Sequence, residues 1–172
     1  FAVLRFVSMG AHHDVGRDGL SPAVKRRLVD ALSDHGEVYV SAEGALPPDL
    51  DAQAVPVPPA AIHDLLAAAN VLVTDSNTMA TEAGLLGTPS VRSGSYVATG
   101  EFSNFAALAE AGLVESIADG DAAVERAVEL AADPDASDRW DERRRKYVAA
   151  STDVTEYIVD TVLEVAEERD AL

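Results

Sequence analysis

VLVTDSNTMATEAGLLGTP, residues 71–89, decides the fold of this chain. Val71 to Val73 form a short apolar run that reads as a buried strand. The run stops at Thr74, Asp75, Ser76 and Asn77, all small and polar. A helical stretch follows and closes at Gly87, with Pro89 just beyond, the usual punctuation of a helix end. A strand that turns sharply into a helix aims the helix's first backbone N–H groups at one point. Such a point attracts phosphate.

Working outward, apolar segments alternate with helical ones. The expected strands are Val3–Ser8, Glu37–Ser41, Ala54–Val57, Val71–Asp75, Ser90–Arg92 and Val114–Ile117. The expected helices are Pro22–Ser33, Ala60–Ala69, Asn77–Leu86, Phe102–Ala111, Asp121–Ala132, Asp138–Ala149 and Val154–Arg169. Ser21-Pro22 is a cap followed by proline at the first helical position, and Pro58-Pro59 opens the next helix. Short strands between helices predict an α/β fold: a Rossmann-like, doubly wound parallel sheet of about six strands with helices on both faces. The common order, 3-2-1-4-5-6, makes the first and fourth strands neighbours. Ligands then bind beyond the carboxyl ends of those strands, where the winding reverses. The loops there are residues 9–20 and 75–77, also the two chemically unusual loops of the chain.

A single domain over residues 1–172 is expected, with the helices of 138–172 packing on it. In the last helix Val154, Ile158, Val162 and Val165 share one face. The chain starts at Phe1 and enters a strand at once, so it reads as a piece of a longer protein. No apolar run approaches the ~18 residues of a membrane span. The formal charge is −17, from 30 acidic and 13 basic residues, of which only Lys25 and Lys146 are lysines. Nucleic acid is a poor partner for such a surface. An acidic, lysine-poor, alanine-rich surface suits the cytoplasm of a halophilic cell, where salt screens self-repulsion, the alternative being an ordinary acidic protein. With no cysteine, disulfides and thiol catalysis are excluded.

In the 75–78 turn, Ser76, Asn77 and Thr78 offer hydroxyl, amide and backbone donors to a diphosphate. Asp75 suits capping or orienting the loop. Glu82 lies one turn further on, on the edge shared with Thr78. There a carboxylate accepts from two vicinal ribose hydroxyls, or is simply a solvated residue on a capped helix. The other loop holds Gly10, His12, His13, Asp14, Gly16, Arg17 and Gly19. Its glycines permit close backbone approach to a ligand. His13 beside Asp14 can be a phosphate donor, an acid/base group or a metal ligand, or the segment is a plain surface loop. The expectation is no metal, because no third histidine lies nearby. His63 is read as structural, although Pro58 to Ile62 can wall a base. Arg92, Ser95, Tyr96, Glu101 and Asn104 are candidates for the sugar part of a ligand. Arg143 to Lys146, flanked by Asp141 and Glu142, reads as a solvated helical face.

Four segments carry a resemblance: AHHDVG at 11–16, SAEGALP at 41–47, IHDLLAAANVLVTDSNTMATEAGLLGTPSVR at 62–92, and DVT at 153–155. The chain resembles the C-terminal half of the DUF354 family, which is similar to the two-lobed GT-B sugar-nucleotide enzymes near the UDP-N-acetylglucosamine 2-epimerases. The resemblance implies a C-terminal, donor-binding lobe for a nucleoside-diphosphate sugar, UDP-linked. It gives diphosphate to Ser76, Asn77 and Thr78, ribose to Glu82, and the base to the stretch around Pro59 to Ile62. It implies that the opposing N-terminal lobe is missing here, so this piece alone is expected to be inactive. No cofactor beyond the nucleotide sugar is expected, and a homo-oligomer is compatible. The binding set is therefore Gly10, His12, His13, Ile62, Ser76, Asn77, Thr78, Glu82, Arg92 and Ser95, with His13 as a supporting acid or donor. Two other classes stand beside this reading. One is a non-catalytic Rossmann-like binding or assembly module. The other is a metal-dependent phosphate-handling enzyme using His12, His13 and Asp14.

Overall fold

A computed structural model describes residues 1–8, 18–50, 52–98 and 103–170 of the chain. The strands are β1 (Ala2–Phe6), β2 (Val38–Ala42), β3 (Gln53–Ala54), β4 (Val71–Thr74), β5 (Ser90–Arg92) and β6 (Glu115–Ser116). The helices are α1 (Pro22–Ser33), α2 (Ile62–Ala68), α3 (Asn77–Leu86), α4 (Ser95–Ala98), α5 (Ser103–Glu110), α6 (Gly120–Ala132), α7 (Ala136–Ala150) and α8 (Val154–Asp170). A 3-10 turn, Pro59–Ala61, leads into α2.

The strands form one parallel sheet in the order β3-β2-β1-β4-β5-β6, the expected doubly wound arrangement. In register, Ala2 sits beside Val38 on one side and Val71 on the other. The alternation of side chains along β1 divides the core into two layers. Ala2, Leu4 and Phe6 pack with Leu28, Val29 and Leu32 of α1 and with Ala123, Val124, Ala127 and Leu130 of α6. Val3 faces the other way, onto Leu65 and Leu66 of α2 and Ala83 of α3. Arg5 shares the parity of Val3, so β1 sends a cation to the α2/α3 side at the sheet's carboxyl end.

Local causes set the helix limits. Ser21 Oγ accepts from Val24 N at α1, and Asp119 Oδ1 accepts from Ala122 N at α6. Gly87 ends α3 in the left-handed region at φ +88°, and Thr88 N donates back to Ala83 O at 2.9 Å. Inside α3 the buried positions are Ala80, Ala83 and Gly84, with Met79 and Leu86 half-covered. Gly84 is required by contact: a Cβ there would lie 2.8 Å from Leu113 O. That same carbonyl accepts from Trp140 Nε1 at 3.0 Å, so α7 is bolted to the body through the α5–β6 turn.

The two C-terminal helices behave differently. Ala136 and Trp140 of α7 are buried. Along α8, residues 154–166 are exposed, including Val154, Ile158, Val162 and Val165, which were expected to pack. The apolar periodicity there is real, but nothing among the described residues covers it. Part of the basic run also departs from a solvated face. Arg143 lies over the Trp140 ring at 4.4 Å and donates to Gly112 O, while Arg145 and Lys146 pair outward with Asp141 and Glu142. No described helix is long and apolar enough to cross a membrane.

Candidate functional site

The carboxyl ends of β1 and β4 are tied together by short side chains of the 74–76 turn. Thr74 Oγ1 donates to Arg5 O at 2.8 Å and accepts from Ser76 N at 2.8 Å. Asp75 is 4% exposed and accepts from Val7 N at 2.8 Å and Leu20 N at 3.0 Å. Burial pushes its carboxyl above the usual aspartate value, while the two N–H donors and Lys25 oppose the rise. Asp75 therefore ties Val7 and Leu20 to the 74–76 turn, in keeping with the orienting role expected of it. The helix cap is Ser76, whose Oγ accepts from Met79 N at 3.3 Å while its carbonyl accepts from Ala80 N. Helix geometry then leaves the Asn77 and Thr78 N–H groups directed beyond the start of α3.

Two cavities flank that start. One is bounded by Asn77, Thr78, Thr81, Glu82 and Phe105, about 260 Å³. It brings together three of the expected residues, Asn77, Thr78 and Glu82. The other, about 310 Å³, is an apolar slot between Val57, Pro59, Ile62 and Met79, closed on one side by Arg5 and Ser41. Arg5 Nη1 donates to Ser41 Oγ at 2.7 Å and Nη2 pairs with Glu43, but its buried Nε has no hydrogen-bond partner among the described residues. Ile62 lies where the sequence places a base-facing wall. Val57, Met79 and Arg5 were missed. The period-two alternation of β1 carries the signal for Arg5, because it puts a charge on a face that is otherwise apolar.

His63 Nε2 lies 3.4 Å from Glu82 Oε2, so α2 and α3 present both groups on one rim. The structural reading of His63 overlooked this contact. Arg92 is 1% exposed and acts as a strut beneath the site. Its Nη1 donates to Asn77 Oδ1 at 3.1 Å, Nε and Nη2 donate to Ser116 Oγ, and the guanidinium lies 3.8 Å over the Phe105 ring. Ser95 Oγ accepts from Asp18 N, and Ser95 N donates to Asp18 O, which clasps the segment after β5 to the one before α1. Tyr96 is half-buried in α4, and the side chain of Asn104 and all of Glu101 are outside what is described. Gly10, His12, His13 and Asp14 also lie outside the described residues, as do Gly16 and Arg17.

The fold is similar to that of the Rossmann-like lobe of solved GT-B glycosyltransferases. The chain is similar to the glycosyltransferase VinC, solved with dTDP, at 19% identity and a TM-score of 0.59, covering 97% of this chain and 42% of that one. It is similar to an O-GlcNAc transferase of Thermobaculum terrenum at 17% identity and TM-score 0.57, over 98% of this chain and 36% of that one. It is also similar to a protein assigned as a UDP-N-acetylglucosamine 2-epimerase from Listeria monocytogenes at 14% identity and TM-score 0.54, covering 81% and 38%. The chain thus spans about two fifths of the length of these proteins. No protein-family model and no curated protein sequence matches it.

Proposed function

We propose that this chain is the donor-binding lobe of a two-lobed GT-B-type glycosyltransferase or sugar-nucleotide epimerase of the DUF354 type. Its ligand is a nucleoside-diphosphate sugar, UDP-linked. The observation that carries the reading is the start of α3: Thr78 and Glu82 border one cavity while Met79, between them, borders the apolar slot. A nucleotide laid across that start puts its diphosphate on the Asn77 and Thr78 N–H groups and the Ser76 and Thr78 hydroxyls. Glu82 then accepts from the ribose hydroxyls, and the base enters the slot beside Ile62. The dTDP held by VinC supports a diphosphate ligand for this type of lobe.

The chemistry follows from charge. When the glycosidic bond to the diphosphate breaks, negative charge grows on the leaving phosphate. Fixed N–H donors and hydroxyls stabilise it there without reorganising. Arg92 contributes by holding Asn77 at the helix start. His13 is the proposed supporting donor or acid, with Gly10 and His12 beside it and Ser95 toward the sugar. The reaction itself needs the opposing lobe, which closes the cleft. The setting is the cytoplasm of a salt-rich cell.

Calorimetric titration of the chain with UDP and UDP-N-acetylglucosamine tests the reading. Glu82→Ala removes charge-assisted hydrogen bonds to ribose, each worth about 1.5–3 kcal/mol, so affinity should fall by more than roughly tenfold. Equal affinity in the wild-type and Glu82→Ala proteins would remove Glu82 from the ribose.

A further inference from the structure

One pair on the rim of the candidate site has no role in the nucleotide reading. His63 Nε2 of α2 lies 3.4 Å from Glu82 Oε2 of α3. We propose that His63 is a positioning residue. It holds the Glu82 carboxylate ready for two vicinal hydroxyls, so that the lobe selects a ribonucleotide over its 2′-deoxy counterpart. This role rests on the nucleotide reading above and adds to it the device that sets selectivity at the ribose.

The spacing of the pair is set by buried contacts between its two helices. Leu65 and Leu66 of α2 pack in one cluster with Ala83, the residue next to Glu82. Thr88, 1% exposed, clamps the same two helices. Its N–H donates to Ala83 O at 2.9 Å, and its Oγ1 donates to Leu66 O at 2.7 Å. Leu66 is about one turn along α2 from His63. Two buried hydrogen bonds from one residue therefore fix the backbone on which each partner stands. Glu82 is also the sole charged residue of α3, whose sequence is NTMATEAGLL. A lone carboxylate on a helix otherwise built of small and neutral residues stands out as a recognition group.

Position and chemistry fit the task. Ile62, the neighbour of His63, lines the apolar slot with Met79, whereas Thr78 and Glu82 line the cavity at the start of α3. A nucleotide spanning both puts its ribose between base and diphosphate, at the rim where α2 and α3 meet. Glu82 by itself is a costly clamp there, because a long side chain gives up its rotamer freedom on binding. A fixed neighbouring donor removes part of that cost in advance. His63 supplies it: an Nε2–H donates to a carboxylate from the neutral tautomer and from the imidazolium alike. A carboxylate has about four lone-pair positions, so one given to His63 leaves enough for two hydroxyls. The 3.4 Å separation exceeds an ordinary N–H···O bond of about 2.9 Å, so Glu82 is steered without being locked away from a ligand. A ribose offers two neighbouring hydroxyls to that carboxylate and a 2′-deoxyribose only one.

A double-mutant cycle read by calorimetry tests this, with UDP and 2′-deoxy-UDP as probes and with wild type, His63→Ala, His63→Gln, Glu82→Ala and the double Ala variant as proteins. Wild type should bind UDP about tenfold or more tightly than 2′-deoxy-UDP, the scale of one charge-assisted hydrogen bond. His63→Ala should lower UDP affinity about three- to tenfold, the cost of ordering one long side chain. His63→Gln keeps an N–H donor and should recover part of that loss. In the Glu82→Ala background His63→Ala should change nothing further, because a residue acting through Glu82 has nothing left to position. The His63 side chain is 58% exposed, so both His63 variants should melt within about 2 °C of wild type. An equal loss of UDP affinity in both backgrounds would mean that His63 acts on the nucleotide or the fold directly, and would overturn the positioning role. Unaltered UDP affinity in His63→Ala, or equal affinity of wild type for the two nucleotides, would overturn it as well. Wild type that binds neither nucleotide would sink the nucleotide reading and this role together, whereas UDP binding without coupling between His63 and Glu82 removes this role alone.

Discussion

Replacing Trp140 by Phe tests whether α7 is integral to the lobe. The indole is fully buried, donates to Leu113 O at 3.0 Å and lies beneath Arg143 at 4.4 Å. Phe keeps one aromatic ring and most of the packing but removes the donor. The Leu113 carbonyl then loses this partner inside the core, a cost of about 1–3 kcal/mol. The smaller ring adds a cavity term, well short of the ~3–5 kcal/mol expected for full truncation to Ala. Together Trp140→Phe should destabilise by about 2–3 kcal/mol, which for a domain of this size is a fall of roughly 4–12 °C in melting temperature. Urea unfolding followed by far-UV circular dichroism measures it. Fluorescence will not serve, because Trp140 is the chain's single tryptophan. The urea slope should be unchanged, since no different surface is exposed. Trp140→Ala should cost more, and the gap between the two variants reports the ring volume. A Phe variant within about 0.5 kcal/mol of wild type would refute the claim that this bond anchors α7.

Three further outcomes follow from named contacts. Gly84→Ala gains about 1 kcal/mol of helix propensity, but its Cβ meets Leu113 O at 2.8 Å, so overpacking of about 1–3 kcal/mol should leave a net loss in the same urea assay. At −17, the chain repels itself, so its melting temperature should climb as salt goes from about 0.1 M to about 1 M and the Debye length shrinks from about 10 to about 3 Å; a flat response would contradict this. With salt held near molar, acid should destabilise. Hydrogen bonds from Arg26, Arg139, Arg144 and Lys146 hold Asp49, Asp133, Asp141 and Glu142 below their ordinary values. A carboxylate depressed in the fold contributes above its unfolded pKa and loses that contribution as pH falls through its folded one. Asp75 works the other way: raised by burial, it costs stability as pH rises through its folded value. Melting curves between about pH 6 and pH 3 should show the net fall, and Asp75→Asn should remove the opposing component.

The fold was legible because its strong signals are local. Val71 to Val73 followed by Thr74-Asp75-Ser76-Asn77 is a buried strand and a capped turn, and both stand where the sequence puts them. Alternation of strand and helix points to a doubly wound sheet, and the commonest order of such sheets is the one found. Limits were less legible where strands are short. β3 pairs over Gln53–Ala54 rather than Ala54–Val57, since Pro56 has no N–H to give to a ladder. The candidate site was legible along α3, where the spacing of Thr78 and Glu82 fixes a shared edge, and at Pro59 and Ile62, which line the apolar slot. Arg5 and the His63–Glu82 contact depend on strands and helices distant in sequence, which no spacing rule brings together. The apolar face of α8 shows the converse: its periodicity reports a need for cover without saying what provides it.

The central claim is that the first N–H groups of α3 hold a diphosphate. Amide chemical-shift mapping of the 15N-labelled chain with UDP measures this directly. The account predicts that the Asn77 and Thr78 amides move most, with Ile62 following as the base enters its slot. Saturating UDP that leaves those two amides in place would contradict it.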